Sequence, residues 1–233
     1  DTLIRIFGTS NIRFEDNLLL VNEKQYPIID DVIVTLSPDQ YPSDLKNRLH
    51  LKSACENQSE FIAKDIQYTF GEEWKKFNDI KPEHAEEFKQ YFDIVDLNSL
   101  KSKCICDLGC GIGRWAFFLK DIAGQMVLVD FSDSIFEARK NLAKSKNSIF
   151  IMGDVLNLPF ADDCFDFIYS LGVLHHTPVP ALKSVVALSR LAPQFLVYIY
   201  YALDNRNNYY KTLFYLVDLI RRLVCSINSS YAR

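Results

Sequence analysis

The sequence predicts an α/β fold with a doubly wound parallel sheet, and three observations support this. From residue 99 onward, apolar stretches of strand length alternate with helical stretches, an order typical of βαβ units. The apolar stretches are nearly continuous, as expected of parallel strands covered on both faces. A glycine-rich segment, from Gly109 to Gly113, leaves the first of these strands and enters a helix, which is typical of a nucleotide-like ligand site.

The predicted core occupies residues 99–203 and contains five strands. We expect these strands within KCICDLG, QMVLVDF, IFIMGD, FDFIYSLGVL and FLVYIYY. Helices are expected between them at RWAFFLKDIA, SIFEARKNLAKSK and ALKSVVALSR. The core is therefore predicted to be a sheet with helices on both faces.

The rest of the chain divides into three smaller parts. Residues 1–40 predict a small β module with strands in LIRIF, IRFEDNLLLV and YPIIDDVIVTL. Residues 41–98 are charged and aromatic, and two proline-containing helix starts, at Pro42 and Pro82, predict a helical linker. Residues 204–233 predict an amphipathic helix followed by a polar tail, with no alternating strand pattern after Ala202.

The composition gives no support to several classes of partner, although it does not exclude a nucleic acid. The formal net charge is −4 and the sequence pI is about 5.6. The chain thus has no excess of positive charge to bind a phosphate backbone, so no nucleic-acid partner is expected. Apolar stretches are shorter than the ~20 residues that span a bilayer, so we expect no stable membrane insertion. The first residues show no secretory signal, which predicts a cytoplasmic protein.

The six cysteines are too sparse and irregular for a disulfide scaffold, so reduced thiols are expected. Three of them, Cys104, Cys106 and Cys110, are clustered, but they form no C-x-x-C pair. We therefore predict no metal site. The oligomeric state stays open at this point.

The glycine segment is preceded by an acidic residue that restricts the ligand. Gly111 to Ala116 satisfies the dinucleotide pattern G-x-G-x-x-A, so the glycines alone indicate only a nucleotide-like ligand. Asp107 lies two residues before Gly109, where a carboxylate attracts a cationic amino group and repels a pyrophosphate. This arrangement argues against a dinucleotide.

Two more carboxylates end the next two strands. Asp130 ends the second strand, where an acidic side chain accepts hydrogen bonds from ribose hydroxyls. Asp154 follows the third strand, where a carboxylate can accept from an adenine amino group while apolar neighbours pack on the ring. An adenosine-containing cofactor with a cationic group matches all three positions.

Four motifs together resemble the class I S-adenosylmethionine-dependent methyltransferases, in particular the methyltransferase type 11 group of ubiquinone and menaquinone C-methylases. They are D-x-G-C-G-x-G at residues 107–113, V-D-F-S at 129–132, G-D-V-x-x-L-P-F at 153–160, and F-D-x-I-x-S-x-G-V-L-H-H at 165–176. The resemblance implies a Rossmann-like fold, S-adenosylmethionine as cofactor and S-adenosylhomocysteine as product. It also implies roles for residues at these motifs: Asp107, Gly109, Gly111 and Gly113 for the methionine part, Asp130 for the ribose, Phe131, Asp154 and Val155 for adenine, and Ser170 for the floor of the cleft.

Methyl transfer from a sulfonium is an in-line displacement with a good leaving group, so placing the acceptor supplies much of the catalysis. A general base still helps when the acceptor is a hydroxyl or an activated carbon. His175 and His176 follow the fourth strand at the ligand-binding edge of the sheet and are the candidate catalytic bases. The alternative is that both histidines are structural. A small molecule is the expected methyl acceptor.

The flanking parts carry weaker resemblances. F-G-x-x-W at Phe70 to Trp74, followed by Tyr91, is similar to helices that cover the cofactor in some relatives, although buried packing on the core explains these aromatics equally well. Residues 26–34 resemble the end of a zinc-ribbon-like domain, but no cysteine precedes Cys55, so a remnant without metal is expected. The family's two last strands are expected to be missing, which predicts a fragment or a divergent C-terminal part.

Two other functions remain open. One is a noncatalytic methyltransferase-like module that binds S-adenosylmethionine or a partner protein. The other, less favoured, is an NAD(P)-dependent oxidoreductase, which the absence of a Tyr-x-x-x-Lys pair and the position of Asp107 argue against. The primary prediction is a transferase that moves a methyl group from S-adenosylmethionine.

Overall fold

A computed structural model of the protein describes residues 1–49, 78–200, 203 and 206–226. The chain forms two compact units, Asp1–Ile199 and Tyr200–Arg233. The predicted lid residues Phe70 and Trp74 lie outside the described residues. The predicted part boundaries at residues 40, 98 and 203 stay predictions.

Five parallel strands form the centre of the first unit. They are β5 (Cys104–Leu108), β6 (Gln125–Asp130), β7 (Ser148–Met152), β8 (Phe167–Leu171) and β9 (Phe195–Tyr198), in the spatial order β7-β6-β5-β8-β9. Alternate residues of β6 face opposite sides: Leu128 packs in one hydrophobic cluster, and Val127 and Val129 pack in the other. Burial on both faces explains the continuous apolar runs and confirms the predicted α/β class.

Three helices connect or follow these strands: α4 (Ala116–Leu119), α5 (Ser134–Asn141) and α6 (Ala181–Leu188). A 3₁₀ turn at Leu174–His176 follows β8. The helix α4 is shorter than the ten-residue stretch RWAFFLKDIA that predicts it, since its regular hydrogen bonding covers only AFFL. The glycine segment and its first helix therefore occupy a compact turn at the carboxyl end of β5.

An antiparallel β module precedes the core and extends its sheet. Its strands are β1 (Ile12–Glu15), β2 (Leu18–Val21), β3 (Lys24–Ile29) and β4 (Val32–Val34), and β4 pairs in parallel with β7 to give one nine-stranded sheet. Asp30 and Asp31 both have positive φ, as the tight turn between β3 and β4 requires. The predicted N-terminal β module is present and is continuous with the core.

The prediction of a strand at LIRIF is wrong, because these residues form a helix, α1 (Thr2–Phe7), which ends at the left-handed residue Gly8. Leu3, Ile6 and Phe7 are spaced for one helical face, and all three pack in the same hydrophobic cluster. The apolar residues that predicted a strand are therefore part of a helical pattern.

Helical segments lie between the β module and the core. They are a 3₁₀ turn at Pro38–Gln40, α2 (Ser43–Arg48), α3 (His84–Tyr91) and a 3₁₀ turn at Leu97–Leu100. Phe88 and Phe92 stack with ring centroids 4.5 Å apart, and the Phe92 ring lies 5.2 Å from that of Tyr169 on β8. The described end of the predicted linker is thus packed on the core sheet.

The described part of the second unit is the helix α7 (Asn208–Ser226). Among residues 208–221 the aromatic and aliphatic side chains are largely exposed, for example those of Tyr209 and Phe214. Asp218 and Arg221 form an ion pair one turn apart. No strand occurs among the described residues that follow Tyr198, and none of the described helices is long and apolar enough to cross a bilayer.

Candidate functional site

The sheet order reverses direction between β5 and β8, and this position defines the candidate site. From β5 the chain proceeds to β6 and β7 on one side, then returns to β8 and β9 on the other. In open α/β sheets, ligands bind outside the carboxyl ends of the strands at such a switch point. The residues that the sequence predicts as functional all lie at or just after the carboxyl ends of β5, β6, β7 and β8.

The glycine segment folds back on β6 through its backbone. The N–H groups of Gly109 and Cys110 donate to the carbonyl oxygen of Val129, at 2.8 and 3.0 Å. Gly109 has φ +79°, and a Cβ there would lie 2.4 Å from Cγ2 of Val173. Only glycine fits at this position, because both the backbone conformation and the space exclude a side chain.

Asp130 connects the two loops that leave β5 and β6. Its Oδ2 accepts from the N–H of Gly111 at 2.8 Å, and its Oδ1 accepts from the N–H and the hydroxyl of Ser132 at 2.9 and 2.7 Å. All three partners are hydrogen-bond donors, which match the two acceptor oxygens of the carboxylate. The Asp130 side chain therefore fixes the glycine segment against the turn after β6.

Asp107 is buried at the end of β5. Only 3% of the residue is exposed, and its Oδ2 accepts from the hydroxyl of Tyr169 on the neighbouring strand at 2.9 Å. Burial raises the pKa of Asp107 to about 8, and the hydrogen bond from Tyr169 offsets only part of that effect. A neutral carboxyl at this position becomes ionised when a cation approaches it.

We expect Asp107→Asn to remove a pH dependence of stability. The unfolded chain ionises Asp107 near pH 3.8, whereas the folded chain retains the proton up to about pH 8, so the wild type loses stability as the pH rises through this window. Relative to the Asn variant, the wild type should lose about 2 kcal/mol between pH 6.0 and 7.5. Urea unfolding of both proteins at these two pH values measures the difference, and equal losses would contradict the burial effect.

Asp154 follows β7 in a turn, and nearby N–H groups donate hydrogen bonds to both oxygens of its carboxylate. Oδ1 accepts from the N–H of Leu156 at 2.9 Å, and Oδ2 accepts from the Asn157 amide at 2.7 Å and from the Gln40 amide at 3.2 Å. Val155 is buried in one hydrophobic cluster, whereas Phe131 is partly buried against the other cluster. Asp154 and Phe131 thus keep accessible surface at this edge, and Val155 contributes mainly to the core.

Ser170 lies near the end of β8 and is 1% exposed. Its hydroxyl donates to the carbonyl oxygen of Leu108 at 2.9 Å, which links β8 to β5. Gly172 follows with φ +76°, and a Cβ at that position would meet no atom within 4 Å. The predicted cleft floor therefore combines a hydroxyl held by the backbone with open space beside Gly172.

His175 and His176 lie in the 3₁₀ turn after β8, with their ring centroids 4.1 Å apart. Burial lowers the pKa of both imidazoles, and the charge of His176 lowers the pKa of His175 further. Both rings are therefore neutral at pH 7 and can accept a proton. The sequence predicts these two residues as bases, and their protonation states are compatible with that role.

Two contacting residues were not singled out from the sequence: Tyr169 and Gln40. Tyr169 falls within the fourth quoted motif, but only the strand register brings it opposite Asp107. Gln40 belongs to the N-terminal part, and no local pattern connects it with Asp154. Across the residues that the structure describes, no group of three His, Cys, Asp or Glu side chains is arranged to hold a metal ion.

Comparison with known proteins identifies similar methyltransferases. Residues 105–191 match a family model described as a methyltransferase domain. The chain is 28% identical over 155 residues to the "Probable tRNA methyltransferase 9B" of Homo sapiens, an alignment that covers 64% of this chain and 32% of that protein. It is 26% identical over 159 residues to the "tRNA (carboxymethyluridine(34)-5-O)-methyltransferase" of Saccharomyces cerevisiae, covering 64% of this chain and 51% of that protein.

A third similarity is shorter. The "Demethylmenaquinone methyltransferase" of Staphylococcus haemolyticus is 35% identical over 66 residues, which covers 27% of this chain and 28% of that protein. The chain spans about a third to a half of the length of the two tRNA methyltransferases. The family match begins in β5 and ends just after α6, so it includes the glycine segment and the acidic residues at the switch point. Over residues 105–191 the chain therefore matches a methyltransferase domain, which agrees with the class I S-adenosylmethionine-dependent methyltransferases that its motifs resemble.

Proposed function

We propose that this chain binds S-adenosylmethionine at the switch point and transfers its methyl group to an acceptor. The observation that carries the proposal is the succession of three acidic side chains, Asp107, Asp130 and Asp154, at the ends of β5, β6 and β7 around the glycine segment. The cofactor supplies an electrophilic methyl group on a sulfonium. Its ammonium, ribose hydroxyls and adenine amino group are all hydrogen-bond donors, which matches a set of carboxyl acceptors.

Each acidic side chain has a separate role in this proposal. Asp107 meets the ammonium group, and the nearby positive charge stabilises its ionised form despite burial. Asp130 accepts from the ribose hydroxyls while it keeps Gly111 in place. Asp154 accepts from the adenine amino group, and Phe131, which keeps accessible surface at this edge, supplies apolar contact to the ring.

The backbone around the site fits a ligand that approaches closely. Gly109, Gly111 and Gly113 all adopt positive φ, so the segment turns without side chains between the backbone and the ligand. Open space beside Gly172 provides room at the end of β8, next to the hydroxyl of Ser170. In this proposal the glycine segment holds the methionine part and β8 forms the floor of the cleft.

We further propose that the acceptor is a tRNA. The two tRNA methyltransferases align over 155 and 159 residues, whereas the quinone methyltransferase aligns over 66. This choice differs from the small-molecule acceptor that the acidic composition favours. Net charge is an average over the chain, and it does not describe a local contact surface.

The proposal is tested in two steps with the full chain. Calorimetric titration with S-adenosylhomocysteine, beside NADH as a control, tests the cofactor. Transfer of radiolabelled methyl groups to tRNA that carries carboxymethyluridine and to unmodified tRNA transcripts, beside a demethylmenaquinone, tests the acceptor. Ribonuclease-sensitive label supports tRNA, and label in the quinone alone overturns that choice. Cofactor binding without turnover on either acceptor would indicate a noncatalytic module, and NADH binding alone would overturn the whole proposal.

His175 and His176 are the proposed source of a general base when the acceptor is a hydroxyl or carbon nucleophile. With such an acceptor, the double variant His175→Ala/His176→Ala should lower kcat by about 10² to 10⁴. Affinity for S-adenosylhomocysteine should stay within about threefold, because neither ring is proposed to hold the cofactor. Full turnover by the double variant, measured beside each single variant, would contradict the role of both histidines.

A further inference from the structure

The side chain of Gln40 connects the N-terminal β module to the candidate adenine-binding edge. Gln40 ends the 3₁₀ turn at Pro38–Gln40, six residues after β4, and its Nε2 donates to Oδ2 of Asp154 at 3.2 Å. The two residues are 114 positions apart in the chain. A residue outside the family match thus contacts one of the three acidic side chains of the proposed site.

The orientation of the Gln40 amide is set by its other end. Its Oε1 accepts from the N–H of Ser37 at 3.2 Å and from the Ser37 hydroxyl at 3.0 Å. This is the reciprocal arrangement of a capping box, in which the amide oxygen is directed to the start of the turn. The amide nitrogen is therefore directed to Asp154, which needs a donor and not a second acceptor.

The backbone beneath this contact is also fixed to the core. The N–H and the hydroxyl of Thr35 both donate to the carbonyl oxygen of Met152, at 2.9 and 3.2 Å. A Cβ on Gly153 would lie 2.7 Å from Oγ1 of Thr35, so the two chains are in close contact at the residue just before Asp154. The distance from Gln40 to Asp154 is consequently determined by the pairing of β4 with β7.

The two carboxylate oxygens of Asp154 differ in the number of hydrogen bonds that they accept. A carboxylate oxygen accepts about two hydrogen bonds. Oδ2 receives two, from Asn157 and Gln40, whereas Oδ1 receives one, from the N–H of Leu156. Within the described part of the chain, Oδ1 thus keeps one acceptor position for a ligand.

We propose that Gln40 is a positioning residue that holds Asp154 so that Oδ1 accepts from a 6-amino purine, which makes the N-terminal module a determinant of cofactor selectivity. The inference rests on the proposed function, because it requires that Asp154 contacts the adenine of S-adenosylmethionine. It extends that function by assigning part of the cofactor pocket to the β module.

Gln40→Glu is the sharpest test, because glutamate keeps the shape of the side chain and the acceptor for Ser37. The substitution keeps that acceptor but replaces the NH₂ group that donates to Asp154 with a carboxylate oxygen. Calorimetry should measure an affinity for S-adenosylhomocysteine that is about tenfold lower than that of the wild type. The matched control is Gln25→Glu, the same substitution at an exposed position of β3, which should bind like the wild type.

Selectivity separates positioning from general damage to the fold. S-inosylhomocysteine carries a carbonyl in place of the adenine amino group, so it presents an acceptor to Asp154 at position 6 where adenine presents a donor. The wild type should prefer S-adenosylhomocysteine over this analogue by about tenfold, and Gln40→Glu should remove most of that preference. If the glutamate variant unfolds, the uncharged Gln40→Met variant, which also lacks the donor, should show the same loss of preference.

The outcomes distinguish this inference from the function on which it rests. Wild-type affinity and wild-type selectivity in a folded Gln40→Glu or Gln40→Met protein would overturn the inference and leave the proposed function intact. Equal loss of affinity for both nucleosides would assign Gln40 a structural role and would also overturn the inference. Failure of the wild type to bind S-adenosylhomocysteine would overturn both.

Discussion

Asp130→Ala should reduce the affinity for S-adenosylhomocysteine by about 100-fold or more. The substitution removes the proposed acceptor for the ribose and also the carboxylate that holds the N–H of Gly111 and both donors of Ser132. Each charge-assisted hydrogen bond contributes about 1.5 to 3 kcal/mol, and every 1.4 kcal/mol corresponds to a factor of ten. Isothermal calorimetry with the purified chain measures the change directly.

Two further variants make this measurement specific. Asp121→Ala removes an exposed carboxylate whose partner is Lys120 at the surface, and it should leave the affinity unchanged. Asp130→Asn keeps the size of the side chain but directs an NH₂ group at one of the donors, so at least a tenfold loss is expected. Affinity of Asp130→Ala within threefold of the wild type would exclude Asp130 from cofactor binding.

Gly109→Ala should destabilise the folded protein by about 3 kcal/mol or more. Part of the cost is the left-handed backbone, at φ +79°, and part is the overlap of the new methyl group with the side chain of Val173. Urea denaturation should show a lower midpoint for this variant, with an unchanged slope.

Gly172→Ala is the matched control for stability, because its φ is +76° and its Cβ would meet no atom within 4 Å. This variant has the same backbone cost without the overlap, so it should lose only about 1 kcal/mol. Combining Gly109→Ala with Val173→Ala should recover stability relative to Gly109→Ala alone. Equal destabilisation by the two single glycine substitutions would contradict the steric argument.

The central strands follow from local sequence. Each is a short apolar run between turn residues, and the predicted segments contain β5 to β9 as the structure has them, apart from the first residue of β7. The positions of Asp107, Asp130 and Asp154 follow from the same runs, because each residue ends or follows a strand and the carboxyl ends of parallel strands meet at one edge. Their roles toward a cofactor stay predictions.

Contacts that depend on register were not accessible from the sequence. The pairing of Asp107 with Tyr169 requires that β5 and β8 align at those residues, and strand alternation carries no information about alignment between distant strands. The contact between Gln40 and Asp154 likewise depends on the pairing of β4 with β7. In the first helix, Leu3, Ile6 and Phe7 satisfied a helical spacing, but the segment is short enough to satisfy a strand pattern as well.

The parallel pairing of β4 with β7 has a consequence for the order of folding. Thr35 and Met152 are 117 residues apart, so β4 can reach its partner strand only after the residues between them have been synthesised. Contacts at such separation slow folding, and an unpaired strand edge promotes association with other chains in the meantime. Until β7 forms, the β4 edge of the antiparallel β1-to-β4 meander therefore stays unpaired. Aggregation during synthesis should consequently be most sensitive to substitutions in β4.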